Sequence, residues 1–184
     1  MCNLSQSTAK LKPTDSANRW HRQESWRALE ELQRAGKIRT IGVSNYLVRH
    51  LEEMKEYATI PPAINQCEFH PLLFNKGLLG YCNKNGILLE AYSSLGEGHL
   101  VNGDEDLPEL DEISHRHQIP PVQILLKWAL QHGVAVIPKA SSAEHLLENF
   151  EATRFELSPE EMAKLDSISE RKQKRFCWDS SKII

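Results

Sequence analysis

An α/β fold with parallel strands is what this 184-residue sequence predicts, and three observations predict it. The first is a repeated order: a helix-patterned stretch stops at a glycine, a short apolar run follows, and the run ends in polar residues that open the next helical pattern. This order occurs at Gly36 with residues 38–43 and Ser44-Asn45, at Gly86 with 87–91 and Tyr92-Ser93-Ser94, and at Gly133 with 134–137, Lys139 and Ser141-Ser142. The second is the helical pattern between successive runs. Strands that each return through a helix must lie parallel, and right-handed crossovers place the helices on the outer face of the sheet. The third is that polar residues gather after the strands, on the face where (β/α)8 barrels keep their active sites. About four strands can be counted, whereas a closed barrel needs eight and about 250 residues. The expectation is therefore a partial (β/α)8 TIM barrel, about four parallel strands with outer helices.

Each element has its own reason. Residues 1–22 hold Pro13, Asp15, Ser16 and Asn18 without an apolar period, so an irregular segment with a turn near Pro13 is expected. From Gln23 the pattern is helical, with Trp26, Leu29 and Leu32 on one face and Arg27, Glu30, Glu31 and Arg34 off it, until Gly36 stops it. Residues 38–43 read as the first strand. Ser44 or Asn45 then caps a helix carrying Leu47, Leu51, Met54 and Ala58, which Pro61 and Pro62 end. A strand over 64–69 closes on His70-Pro71. Asn75 caps the next helix, with Leu78, Leu79 and Cys82 inward, and residues 87–91 form the third strand.

Gly96, Gly98 and Asn102-Gly103 make a loop longer than most connections in a compact domain, which points to a covering role. Two helices follow, over 108–117 and 121–131, the second with Pro at its first turn and Val122, Leu125, Leu126 and Ala129 facing the core. Residues 134–137 are the fourth strand. Ser141 to Glu144 and Ser158 to Glu161 both have the Ser-x-x-Glu form of a capping box, ahead of Leu146, Leu147 and Phe150 and of Met162, Leu165 and Ile168. The barrel segment is thus placed at 23–168. Residues 169–184 form a C-terminal tail, read as a strap because it carries Phe176 and Trp178.

Composition narrows the class. A 40% hydrophobic, 26% charged chain is ordinary for a globular domain, and no apolar run approaches the roughly 18 residues of a membrane span. A net charge of −3 argues against nucleic acid as a partner. The one basic stretch, 171–175, reads as solvated tail. Cys2, Cys67, Cys82 and Cys177 are scattered, without zinc or redox spacing, and read as reduced thiols of a cytoplasmic protein. The N-terminal twelve residues lack the apolar core of a secretory signal. The histidines show no helical pair with a supporting acid, so no metal is expected.

The strand-end set is Ser44, Asn45, Gln66, Tyr92, Ser93 and Lys139, with Ser141, Ser142, Glu148 and Asn149 just beyond the last strand. Ser, Asn and Gln as donors and acceptors, a flat aromatic ring, and a Lys beside a helix N-terminus suit an aromatic amide with a phosphate at its far end. A nicotinamide dinucleotide has that form. The plainer reading of the same residues is helix caps and a packed tyrosine.

Gly42-Val43-Ser44-Asn45, Asn65-Gln66-Cys67-Glu68-Phe69-His70-Pro71, Ala91-Tyr92-Ser93-Ser94-Leu95-Gly96 and Ile137-Pro138-Lys139, followed by Glu148-Asn149, resemble the aldo-keto reductases in order and spacing. The resemblance runs from about Leu11 to Ile184 and matches the C-terminal part of that family's barrel. It implies that Ser44, Asn45 and Gln66 hold a nicotinamide carboxamide, that Tyr92 stacks on the ring, and that Ser93 and Leu95 line the pyrophosphate. Lys139 and Ser142 would meet the 2′-phosphate of NADP, with Glu148 and Asn149 at the adenine.

Two departures weaken the phosphate clamp: Ala140 follows the Lys where the family usually has Ser, and His145 replaces a phosphate-gripping Arg. Arg binds phosphate bidentately and stays charged, whereas His is mostly neutral at pH 7. NADP affinity is expected to be reduced. The family's catalytic Asp, Tyr, Lys and His sit at the ends of its first four strands, which this chain is expected to lack; no substitute is apparent, since Tyr46, Tyr57 and Tyr81 read as helical or cap positions and His70, ahead of Pro71, as a residue that hydrogen-bonds the backbone.

The expectation is an NADP-dependent carbonyl reductase by resemblance, inactive alone, that accepts a small carbonyl substrate only if the catalytic half is supplied. The alternatives are a non-catalytic nucleotide-binding or interaction protein, self-associating through open sheet edges, and a fragment of a longer reductase. Trp20, Phe176 and Trp178 are candidates for a substrate pocket or for packing.

Overall fold

A computed structural model describes residues 12–183. Residues 1–11, and with them most of the segment expected to be irregular, lie outside the described residues. In order the elements are α1 (Ala17–Arg34), β1 (Val43–Ser44), α2 (Val48–Met54), β2 (Ile64–Glu68), α3 (Lys76–Lys84), β3 (Leu88–Tyr92), α4 (Pro108–His117), α5 (Pro121–Gln131), β4 (Ala135–Val136), α6 (Ala143–Glu151) and α7 (Pro159–Arg171). The four strands form one parallel sheet in the order β1-β2-β3-β4. Ser44 pairs with Gln66, Gln66 with Glu90, and Glu90 with Ala135, so one row of side chains crosses the whole sheet.

Alternation along the strands separates two faces. Leu89, Ala91 and Cys67 face the helices and are buried with Trp26, Leu51, Leu125 and Trp128. Leu88, Glu90 and Tyr92 point to the other face, and Leu88 stays 43% exposed. In the helical layer Phe69 stacks on Trp128 at 4.9 Å, and the indole N–H of Trp128 donates to Asp166 at 2.8 Å. Among the described residues no helix is long and apolar enough to cross a membrane.

Several expectations are corrected. The first helix begins at Ala17, six residues early, because Asp15 accepts the Ala17 N–H and Arg22 grips Glu53 on α2 through Nε at 3.0 Å and Nη2 at 2.7 Å. Glu30, placed by periodicity off the apolar face, is buried. Its carboxylate accepts the N–H groups of Thr59 and Ile60 at 2.7 and 2.8 Å and bonds Arg34. The first strand is two ladder residues rather than 38–43, since it has a described neighbour on one side only; Arg39 gives its carbonyl to the Gln33 side chain. Gly42 permits a close approach to β2: a Cβ there would meet the Ile64 carbonyl oxygen at 2.8 Å.

Neither Ser44 nor Asn45 caps α2. Leu47 is the N-cap, and His50 Nδ1 accepts its N–H at 3.2 Å. The box at 158–161 forms, with Ser158 and Glu161 bonded reciprocally, but the one at 141–144 does not. There the cap is Ser142, whose hydroxyl accepts the His145 N–H at 3.2 Å. More consequentially, α6 buries none of its residues. Leu146, Leu147 and Phe150 are 59%, 65% and 58% exposed. In a β/α barrel a helix covers the interval between its own strand and the next, and after β4 no described strand follows.

Helix α7 runs on to Arg171, past the expected end at 168, and residues 172–183 follow as a strap. Basic residues 171–175 are ion-paired rather than free: Arg171 with Glu109, Lys172 and Lys174 with Glu105, Arg175 with Glu68.

Candidate functional site

At the C-terminal strand ends the polar residues form a bonded set. Asn45 takes a left-handed backbone, φ 60°, which Asn tolerates better than most residues because its short polar chain bonds locally. Its N–H donates to the Gln66 carbonyl at 2.8 Å, its Nδ2 to Ser44 Oγ at 3.0 Å, and its Oδ1 accepts the Tyr92 hydroxyl at 2.8 Å. Ser44 Oγ donates to the Gln66 carbonyl at 3.0 Å, and Gln66 Nε2 donates to Glu90 Oε1 at 2.6 Å. Half-burial, together with the nearby Glu68 carboxylate, pushes the Tyr92 phenol up to about 12. The ring is therefore neutral at physiological pH and held at its hydroxyl tip.

Beyond Tyr92, Ser93 also has positive φ, at 49°, and its Oγ lies 3.2 Å from Cys177 Sγ on the strap. Ser93, Leu95, Glu97, Ile137, Pro138 and Lys139 line a cavity of about 530 Å³. Ser44, Asn45, Tyr46, His21, His50 and Trp178 help line a second, of about 400 Å³. Structure thus joins Ser44, Asn45, Gln66 and Tyr92 by hydrogen bonds, and Ser93, Leu95 and Lys139 around one cavity. Ser141, Ser142, Glu148 and Asn149 line neither. Trp178 reaches the cavity beside Asn45, Phe176 packs against the core, and Trp20 stands exposed, edge-on to His21.

Sequence reasoning assigned no role to Glu68 or Glu90. Glu68 is fully buried at the end of β2, and its carboxylate accepts the N–H groups of Phe176 at 2.6 Å and Cys177 at 3.2 Å. His70 Nε2 lies 3.1 Å away, so that histidine bonds a side chain rather than the backbone. Burial raises the Glu68 pKa, but His70 and the Phe176 amide outweigh it and hold the carboxyl below its usual range. The strap is thereby fastened across the strand ends. Phe176 stacks with His99 at 5.2 Å and lies against Gly96, where a Cβ would come within 2.7 Å of its ring. The visible signal was Glu68 itself, a charged residue ending a strand of otherwise uncharged residues.

Parallel strands with outer helices, and a polar set confined to the C-terminal strand ends, define a protein of the β/α-barrel class. Comparison with known proteins narrows this. A profile described as "Aldo/keto reductase family" matches residues 11–170, and the chain belongs to that family. It is 46% identical over 146 residues to glyoxal reductase of Bacillus subtilis (strain 168), which covers 79% of this chain and 51% of that protein. The crystal structure of Gox0644 without ligand superposes with a TM-score of 0.79 at 29% identity, covering 90% of this chain and 59% of that one. A point mutant of Gox0644 in complex with NADPH gives 0.73 at 32% identity, covering 79% and 52%. The chain spans about half the length of the curated relatives it matches. Its four strands form a partial barrel of that family's fold.

Proposed function

We propose that this chain carries the NADP-binding part of an aldo-keto-reductase-type oxidoreductase, the class that reduces carbonyls to alcohols. One observation carries the reading: the Tyr92 ring, tethered to Asn45 at 2.8 Å, stands opposite Glu68 at the strand ends, one residue before Ser93, which lines a cavity with Lys139. The residues fit the cofactor. A tethered ring offers a flat stacking surface, Ser44, Asn45 and Gln66 supply amide-type donors and acceptors, and Lys139 offers a charge for phosphate. Bound NADPH would supply the hydride. The chain's own residues orient the nicotinamide through Ser44, Asn45 and Gln66, present one ring face over Tyr92, and line the pyrophosphate with Ser93 and Leu95. Glu97 places a carboxylate in the cavity of Lys139, which, with Ala140 and the exposed His145, fits a weakened phosphate grip. Ser142 joins Lys139 at the 2′-phosphate with Ser141 beside it, and Glu148 and Asn149 complete the reading at the adenine.

Catalysis is a separate matter. The family's Asp, Tyr, Lys and His have no counterpart among the residues gathered here, and a general acid must come within hydrogen-bond reach of the substrate carbonyl. Tyr92 is spent on Asn45. Reduction of a small carbonyl therefore requires the complementary strands, and alone the chain acts as a nucleotide-binding, non-catalytic protein. Thiols at Cys67, Cys82 and Cys177 that form no disulfide accord with a cytoplasmic location. Titrating the purified chain with NADPH by fluorescence, then adding a panel of aldehydes, tests both parts. Saturable binding without turnover is expected. No binding sinks the cofactor reading, and turnover lost with Tyr92→Ala sinks the claim of inactivity.

A further inference from the structure

The end of the strap is held by a histidine that the proposed function does not use. His50, on α2, is 3% exposed. Its Nδ1 accepts the Leu47 N–H at 3.2 Å, which fixes the tautomer that carries its proton on Nε2, and Nε2 donates to the Ile183 carbonyl at 3.0 Å. Arg49, its neighbour, donates to the carbonyls of Ser181 and Ile183 at 2.8 and 2.7 Å. With Trp178 and Ser180, both His50 and Ile183 line the cavity of about 400 Å³ beside Asn45. The docked strap is therefore one wall of that cavity.

Only a neutral ring satisfies both contacts of His50. A second proton, on Nδ1, would set two N–H donors against each other at Leu47 in a buried place. From α1 the groups toward the ring are His21 and Arg22, from α2 Arg49 and Glu53, and before α2 the Tyr46 ring, edge-on at 5.6 Å. Glu53 is itself held by Arg22 at 2.7 Å. On this stretch of the strap the charged residues are Lys182 and Asp179, whose carboxylate accepts the Ser181 N–H at 2.9 Å. Burial pushes the His50 pKa down, and Arg22 and Arg49 push the same way, against the Ile183 carbonyl and Glu53.

We propose that His50 is a pH-sensitive latch: neutral, it pins residues 181–183 to α2 and keeps the cavity wall in place; protonated, it lets them go. The inference is independent of the cofactor reading. Docked, the ring resists the proton; released, it meets water and titrates near the ordinary histidine value of about 6.5. Docking is thus complete above that value and weakens as pH falls below it.

Hydrogen exchange of the full chain, corrected for the intrinsic pH dependence of amide exchange, tests this. Opening of residues 179–183 should rise by about tenfold between pH 7.5 and 5.5, while α5 stays protected. His50→Gln should flatten the profile, because its amide can accept from Leu47 and donate to Ile183 as the neutral ring does but does not titrate. His21→Gln should keep the rise, and Arg49→Ala should open the strap further at pH 7.5. A flat wild-type profile overturns the proposal, as does a rise that survives His50→Gln or disappears with His21→Gln, or a strap indifferent to Arg49→Ala. A second measurement needs no variant: in an NMR titration of the wild-type chain the His50 ring should change below about pH 6.5, and a midpoint at or above that value overturns the proposal as well.

Discussion

The Tyr92 hydroxyl donates a 2.8 Å hydrogen bond to Asn45 Oδ1, tying the end of β3 to the residue after β1 across the intervening β2. The bond fixes the plane of the ring, and it holds Asn45 in its left-handed conformation against an alternative role as a helix cap. Replacing Tyr92 by Phe keeps the ring and removes the tether. Stability should fall by about 0.5–1.5 kcal/mol, the net worth of one such bond. NADPH affinity should fall several-fold with Tyr92→Phe and much further with Tyr92→Ala. Fluorescence titration beside urea unfolding reads both, and equal affinity of the three proteins would remove the ring from the site.

Glu97 and Lys139 share one cavity, so their charges oppose each other toward a phosphate. Glu97→Gln should tighten NADPH binding and Lys139→Ala should loosen it, with the discrimination against NADH reduced in the latter. Because the charges stand near solvent, the Glu97→Gln gain should shrink as salt rises. Calorimetry at two ionic strengths decides it; an unchanged affinity in both variants would place the phosphate elsewhere.

Glu30 links α1 to the turn at Thr59-Ile60. Burial raises its pKa, but the bonds from Ile60 and Thr59 and from Arg34 prevail and bring it from 4.5 to about 2. A depressed carboxyl stabilises the fold fully above its unfolded value, and that share disappears as pH falls from about 4.5 toward 2. Wild-type stability should therefore decline across this window more steeply than that of Glu30→Gln. Glu30→Ala should cost about 1–3 kcal/mol at neutral pH, since two buried amide donors lose their acceptor. Urea melts at stepped pH supply the comparison.

Gly96 combines φ 57° with a site where a Cβ would meet the Phe176 ring at 2.7 Å. Gly96→Ala should displace the strap and destabilise the chain by about 1–3 kcal/mol. Glu68→Gln should loosen the strap at the same point, where the carboxylate accepts the Phe176 and Cys177 N–H groups. Limited proteolysis within residues 172–183 should accelerate in both variants, and protection equal to wild type would show that the strap is held by other contacts.

Much of this was legible in the residue order. Helices over 108–117 and 121–131, the Asn75 cap and the Ser158–Glu161 box depend on neighbours within a few residues, so local chemistry settles them. The parallel sheet follows from the alternation of strand and helix. Ser44, Asn45, Gln66 and Tyr92 were recognisable as strand-end residues, but Ser44 and Asn45 were misread as helix caps, because the competing partner of Asn45 is Tyr92, 47 residues away.

By itself, then, the sequence determined the class of fold, the order of its elements and the family, since these reside in periodicity and in motifs short enough to read in one pass. Tertiary structure alone decided that Glu30 and Glu68 are buried acceptors, that the Tyr92 ring is tethered, and that α6 buries none of its residues. The physical reason is range. A helix or turn is chosen by bonds a few residues long, whereas burial of a charge or exposure of a leucine depends on what the rest of the chain brings against it.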